Sequence, residues 1–404
     1  MTFFSRLFPN LNPLIGWLTI IRIVAALGFA IFHPFLGIYL HEELGISMTK
    51  VGLMLMISGI IGTLSGPFGG SLSDRIGRKK LLSTIYITRA IVFFSLALLV
   101  FYRQPFFVFA AFWMIGAIMG SASHPILDAI IADIIPIKFR AEAYSLMKAG
   151  VNIGWAIGPV IGGIVFVWGY HYPLGITAIS LVIASVLIVV KLPETRSIKS
   201  GEKSRHTIKI LKDDPHLAQF LVFFICMSLL RGQLSITLSM HLSANLGMSK
   251  PFIGLIYMVN AAMVIILQVP VMRYIVRFNP LLRMLAASLI YTAGYFLIGQ
   301  AGVFAMVILA IVIITTAEII ESPTAAAYVS SMAPSSEAGA YMGAHSMANL
   351  LGWLMGPLVG GLVLDNIASV SMAWTTISML GVVAAVGYTW LMIKDKNRLK
   401  FDNG

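Results

Sequence analysis

Apolar residues run along this chain in blocks of roughly 20, separated by short polar or charged stretches. Backbone tolerates hydrocarbon only when its hydrogen bonds are satisfied internally, so each block predicts a membrane-spanning helix. This criterion places about twelve spans, near 14–40, 49–70, 82–101, 107–132, 141–166, 174–192, 216–243, 250–272, 283–300, 304–325, 338–363 and 370–393. The chain is therefore expected to be an all-α membrane protein.

Composition agrees with that pattern. Of 404 residues, 58% are hydrophobic and 11% charged, too little polar surface for a soluble globule of this length. The net charge of +12 raises the question of a nucleic-acid partner, but the basic residues are not gathered into a reading face. One side of the membrane collects Arg6, Arg75, Arg78, Lys79, Lys80, Lys138, Arg140, Arg273, Arg277, Arg283, Lys394, Lys396, Arg398 and Lys400; the other receives Lys50, Arg103 and Lys250. That bias predicts both termini on the cytoplasmic side of a cell membrane and accounts for the basic charge without nucleic acid. The opening "MTFFSRLFPNLNP" lacks a cleavable signal pattern and reads as a retained cytoplasmic tail. Cys226 is the single cysteine, so an intrachain disulfide or a cysteine-rich metal site is excluded.

The chain also repeats itself. "GWAIGPVIGG", from Gly154, returns as "GWLMGPLVGG", from Gly352, and at the same offset Pro125 meets Pro323 and Pro136 meets Pro334. "LGISMTKVGL", from Leu44, returns as "LGMSKPFIGL", from Leu246. A polar segment from Lys191 to Pro215 lies between the copies. The expected organisation is a six-helix bundle over 1–190, a cytoplasmic linker over 191–215, and a second six-helix bundle with a short tail over 216–404.

Gly70, Asp74, Arg75, Gly77, Arg78, Lys79 and Lys80 spell G-x-x-x-D-R-x-G-R-K-K between spans two and three. This loop resembles the signature of the major facilitator superfamily. The Gly-Pro motif of span five (Gly154, Gly158, Pro159, Gly162, Gly163), echoed by Gly356 and Pro357 in span eleven, resembles that of the superfamily's drug:proton antiporters. "LGFAIFHP" in span one is similar to their first-helix pattern, although Gly37 stands where a second proline is usual. The resemblance implies two pseudo-symmetric six-helix bundles, a pairing of Arg78 with Asp133 at the inner end of span four, and a gating role for the loop with Asp74. The second-half loop "VPVMRYIVRFNP" keeps arginines but no acid, so the latch is expected on one side alone. Glycines three and four apart permit close helix approach and proline bends a helix, so the Gly-Pro runs read as hinges rather than substrate contacts.

Ionisable groups in mid-membrane usually mark function. Arg22 and His33 share a face of span one, His124 and Asp128 lie one turn apart in span four, Arg231 lies in span seven, and Glu318 and Glu321 share a face of span ten. The resemblance implies that these four spans line the central cavity. Arg89 and Lys148 are read as lying near inner span ends, within reach of headgroups. "AEIIESPTAA" in span ten resembles the acid-then-proline pattern of multidrug members, and "HPILDAIIAD" a corresponding acid-bearing segment. Glu318 is the favoured carrier, although burial and a neighbouring acid disfavour a charged carboxylate at either glutamate and so suit both to loading and releasing a proton. The alternative is a permanent, structural ion pair of one glutamate with Arg231.

The expected function is secondary transport by alternating access, with proton-coupled export of amphipathic drug-like or lipid-like compounds. The rival keeps the fold and carries an organic anion, a sugar or a siderophore. The expected partners are a small-molecule substrate, protons and the bilayer, for a monomeric chain with no nucleic acid, metal or cofactor. No H-E-x-x-H or G-x-x-x-x-G-K-[ST] pattern occurs, which argues against an enzyme or an ATP-driven pump.

Overall fold

The computed structural model describes residues 13–195, 207–334 and 337–401. Most of the expected amino-terminal tail, with Arg6, and residues 196–206 of the expected linker lie outside that range. Among the described residues, 12 helices are long and apolar enough to cross a membrane. They are α1 (Pro13–Phe32), α2 (Met48–Ile76), α3 (Arg78–Phe101), α4 (Phe106–Ile134), α5 (Ile137–Val165), α6 (His171–Lys191), α7 (Pro215–Gln233), α8 (Lys250–Ile275), α9 (Pro280–Gln300), α10 (Phe304–Met332), α11 (Ala338–Asn366) and α12 (Val370–Phe401). The described residues contain no strand. Large apolar side chains such as Ile91, Phe94, Phe107, Ile266 and Val386 are exposed, as lipid contact requires.

The helices divide into two compact units. Of the described residues, 13–46, 54–195 and 248–261 form the first, and 47–53, 207–247, 262–334 and 337–401 the second, so the division passes through α2 and α8. In the first unit α1 packs on α5 and α6, while α3 packs on α4 and α6. In the second, α7 packs on α11 and α12, while α9 packs on α10 and α12. Each unit thus uses the same order of neighbours.

The repeated sequence has a matching backbone. Gly45 and Gly247 occupy corresponding places in the two "LG" turns, with φ of +64° and +61°. Both sit in the left-handed region, where a Cβ is strained, and each turn delivers the chain into the following helix. The Gly-Pro runs likewise act through packing. A Cβ on Gly154 would meet Leu27 N at 2.7 Å, and one on Gly158 would meet Ala30 Cβ at 2.6 Å. On α11, a Cβ on Gly356 would meet Gly232 Cα of α7 at 2.7 Å. Gly162 continues the stripe against Ile31 and Phe35, and Gly163 faces Lys250 and Pro251. Bare backbone is what allows these helices to touch.

Two spans are less regular than the apolar runs predict. Span one stops being α-helical at Phe32, passes through a 3-10 turn at His33–Phe35, and continues through a short α segment to a π-helical turn at Tyr39–Glu43. Pro34 explains the first break, because it has no N–H to donate. Span seven, expected as one helix over 216–243, ends at Gln233 and resumes as a separate helix at Thr237–Ala244. No proline is responsible. Leu234 N donates to Arg231 O at 3.1 Å and Ser235 N to Gly232 O at 3.1 Å, so the chain tightens here. Ser235 Oγ adds a bond to Gly232 O at 2.7 Å, and Gln233 Nε2 bonds Leu229 O at 3.1 Å and Gly356 O at 2.8 Å.

Candidate functional site

The deep polar groups gather into one cluster in each unit. In the second, α7 carries Arg231 at its last turn and α10 carries Glu321. Arg231 Nη1 lies 3.1 Å from Glu321 Oε2, with the carboxylate side chain at 0% exposure and the arginine at 11%. Arg231 Nη2 also donates to Asn349 Oδ1 of α11. Three helices are therefore tied together by one guanidinium, whose planar fork suits bidentate use. Tyr295 of α9 donates to Leu230 O at 2.5 Å, next to the same turn.

Glu318 occupies a different setting. It lies three residues before Glu321 on the same face of α10, is half-buried, and remains within electrostatic reach of Arg231. His345 of α11 stacks on Phe224 with ring centroids 4.7 Å apart. The two glutamates, of which the sequence reading favours Glu318 as carrier, are separated by packing into an enclosed acid paired with Arg231 and a more accessible one.

The first unit is built from α1, α3 and α4. Arg22 Nη1 lies 3.1 Å from His124 Nδ1. Asp128, one turn farther along α4, is exposed and within reach of the charge of Arg22. His33 sits among rings: its centroid is 4.9 Å from Phe29, 5.4 Å from Trp155 and 6.4 Å from Trp113. It belongs to an aromatic cluster and does not touch Arg22, although the two share a helix face.

Arg89 departs from expectation. It is not near a span end reaching for headgroups, because α3 begins at Arg78 rather than near 82 and places Arg89 in mid-helix. Its Cζ lies 5.4 Å from the ring centre of Phe29 and 5.5 Å from that of Phe93. Gly120 makes room for it on α4: a Cβ there would stand 3.0 Å from the guanidinium carbon. Deep charge consequently occurs on span three as well as on spans one, four, seven and ten. Lys148, by contrast, is exposed.

At the loop between α2 and α3, Arg78 Nη1 lies 2.5 Å from Asp133 Oδ2 at the end of α4, and Arg78 Nη2 lies 3.4 Å from Asp74 Oδ1. The arginine is enclosed at 4% exposure while Asp74 remains open at 54%. Gly77 turns the chain with φ of +107°. Glu194, just beyond α6, accepts from Lys79 N at 2.9 Å and Lys80 N at 3.1 Å, so a carboxylate sits on the positive end of α3. Arg75 is exposed, and Gly70 lies beside Pro125. In the second unit Arg277 instead stacks on Tyr274 and Phe278, at 4.1 and 5.0 Å.

The model of the Major Facilitator Superfamily matches residues 18–357 and, in a second overlapping match, 224–403. The chain belongs to this superfamily. It is 25% identical to the "Na(+), Li(+), K(+)/H(+) antiporter" of Planococcus maritimus, over 90% of this chain and 92% of the relative. It is 27% identical to "Multidrug resistance protein 2" of Bacillus subtilis, over 85% of this chain and 86% of that protein. Among solved structures, the nucleoside transporter NupG superposes with a TM-score of 0.78 at 14% identity, covering 94% of this chain and 99% of the other. The structural likeness speaks for the fold alone.

As a Major Facilitator Superfamily member, the chain is a multi-pass membrane transporter. Two features of its clusters escape motif reading. Arg89 had a signal: Tyr86 and Phe93 lie three residues before and four after it, giving the arginine an aromatic face on α3. Asn349 had almost none, since a lone asparagine in "MANLLGW" carries no motif. Among the described residues, no group of three or more His, Cys, Asp and Glu side chains is placed to hold a metal ion.

Proposed function

We propose that this transporter exports amphipathic drug-like or lipid-like compounds in exchange for protons, by alternating access of its two six-helix halves, 1–190 and 216–404, about the 191–215 linker. It works as a monomer in the cell membrane with both termini cytoplasmic. The observation that carries the coupling is the unequal setting of the two acids on α10. Glu321 is enclosed and held 3.1 Å from Arg231, so it serves as the fixed partner of that cation. Glu318 is half-buried one turn away and takes the role of proton carrier. A protonated, neutral Glu318 crosses an enclosed state more cheaply than a carboxylate, which couples proton binding to the conformational step.

The remaining groups take supporting roles. Arg78, Asp133 and Asp74, with Gly70, Arg75 and Gly77, form the gate at the signature loop. The Gly-Pro stripes of α5 and α11 serve as hinges where they meet α1 and α7. Arg22, His33, His124 and Asp128 form the first-half wall of the substrate site. The relatives named as multidrug resistance and antiporter proteins are consistent with this reading.

The test is proton release from proteoliposomes under an inward-acid gradient. Addition of an amphipathic drug-like compound is expected to release protons in the wild type and to have no effect in Glu318→Gln. Drug-driven release that persists in Glu318→Gln removes Glu318 from the role.

A further inference from the structure

The first unit carries mid-membrane positive charge that its own acids do not neutralise: Arg22 and Arg89 are half-buried, and His124 beside them is exposed. Arg22 of α1 and Arg89 of α3 both have a buried Nε without a hydrogen-bond partner. Among the described residues no carboxylate forms an ion pair with either. The contacts they do make are with rings: Arg22 with His124, and Arg89 with the faces of Phe29 and Phe93. Both charges act on the same two neighbours, Tyr86 and His124, so the guanidiniums point into one neighbourhood.

A cation in mid-membrane is ordinarily paired or faces an open cavity, and two half-buried guanidiniums beside an exposed imidazole keep part of their surface open to a ligand. The second unit follows that rule with Arg231 and Glu321. In the first unit Asp128 is near enough to feel Arg22 but stays exposed and makes no ion pair with it. Beside the arginines, Phe29, His33 and Trp155 are each only partly buried and their rings lie within 6.1 Å of one another, centroid to centroid. A flat apolar body adjoining the anionic group therefore has rings to stack on.

We propose that Arg22 and Arg89, with His124, bind the anionic group of a soluble aromatic carboxylate or related organic anion whose ring system rests on Phe29, His33 and Trp155. This rests on the reading of the chain as a substrate-binding exporter and narrows its substrate to amphiphiles bearing a negative group. Guanidinium forks match carboxylate and phosphate geometry, and a charge-assisted bond is stronger than a neutral one.

The test is equilibrium binding, which is read separately from proton-coupled flux. Full-length protein in phosphatidylcholine nanodiscs is titrated calorimetrically with 2-naphthoate, 2-naphthylmethanol and 2-naphthylmethylamine. The carboxylate is expected to bind at least about tenfold more tightly than the alcohol, and the amine more weakly than either. Arg22→Gln and Arg89→Gln are each expected to lower naphthoate affinity about tenfold while leaving the alcohol unchanged. Equal or tighter binding of the alcohol or the amine to wild type overturns the proposal, and that comparison needs no variant to fold. Unchanged naphthoate affinity in folded Arg22→Gln and Arg89→Gln overturns it as well. A loss of naphthoate affinity on adding phosphatidylglycerol to the nanodiscs that persists in high salt, where the surface potential is screened, overturns the soluble-anion assignment in favour of an anionic lipid headgroup. If naphthoate binds as expected but Glu318→Gln still couples drug to protons, the anion site stands and the coupling assignment alone fails.

Discussion

Arg22 on α1 and Arg231 on α7 lie on the first helix of each half, yet their surroundings differ. Arg231 has a fully enclosed carboxylate at 3.1 Å and an asparagine on a third helix. Arg22 has an imidazole, a second guanidinium nearby on α3, and an acid that stays outside. One half balances its charge internally, and the other leaves it to be balanced from outside. A duplicated scaffold can thus divide labour: the neutralised cluster supplies fixed architecture beside a proton carrier, while the unbalanced cluster recognises a ligand.

The largest effect that would break this contrast is on stability. Arg231→Met strands Glu321 at 0% exposure without its counter-charge and is expected to cost about 3–5 kcal/mol. Arg231→Met combined with Glu321→Leu should recover most of that. Arg22→Met and Arg89→Met remove cations that have no carboxylate partner and are expected to stay within about 2 kcal/mol of wild type, the loss being ring contact. Thermal unfolding of the four variants in one detergent decides the matter; equal losses on both sides would end the distinction.

A smaller effect is expected from the packing that both halves share. Gly356→Ala places a Cβ 2.7 Å from Gly232 Cα, and overpacking of this kind costs about 1–3 kcal/mol. Gly158→Ala, with Ala30 Cβ at 2.6 Å, should match it if the two stripes are equivalent. The smallest effect concerns the caps. Asp214 accepts from His216 N and Leu217 N at the start of α7, at 2.9 and 3.1 Å, whereas α3 draws its carboxylate from Glu194 beyond α6. Asp214→Ala is expected to cost about 1 kcal/mol, measured by the same unfolding transition.

The twelve spans were readable because hydrocarbon thickness imposes a length on every apolar run, and the superfamily because its loop and Gly-Pro motifs are contiguous in sequence. Rotation of a helix about its axis is not contiguous. Glu318 and Glu321 share a face of α10, and only the packing of the neighbouring helices, α9 among them, decides which of them is enclosed. Arg89 was misplaced for a simpler reason. Charged residues 78–80 read as loop, but the helix begins on Arg78, whose charge is met by Asp133, so the centre of the span shifts toward Arg89. The break in span seven was also hidden, since Leu234, Ser235 and Ile236 include neither proline nor glycine.

That last break differs in kind from the one in span one. Pro34 lacks an N–H, so no rearrangement can restore a continuous ladder there. Residues 234, 235 and 236 all keep theirs, and the bonds from Leu234 and Ser235 to carbonyls three residues back need only slip by one position to become α-helical. One rod of the pair is permanently jointed; the other keeps every N–H a continuous helix would use, with the Tyr295 and Gln233 bonds bracing its tightened turn.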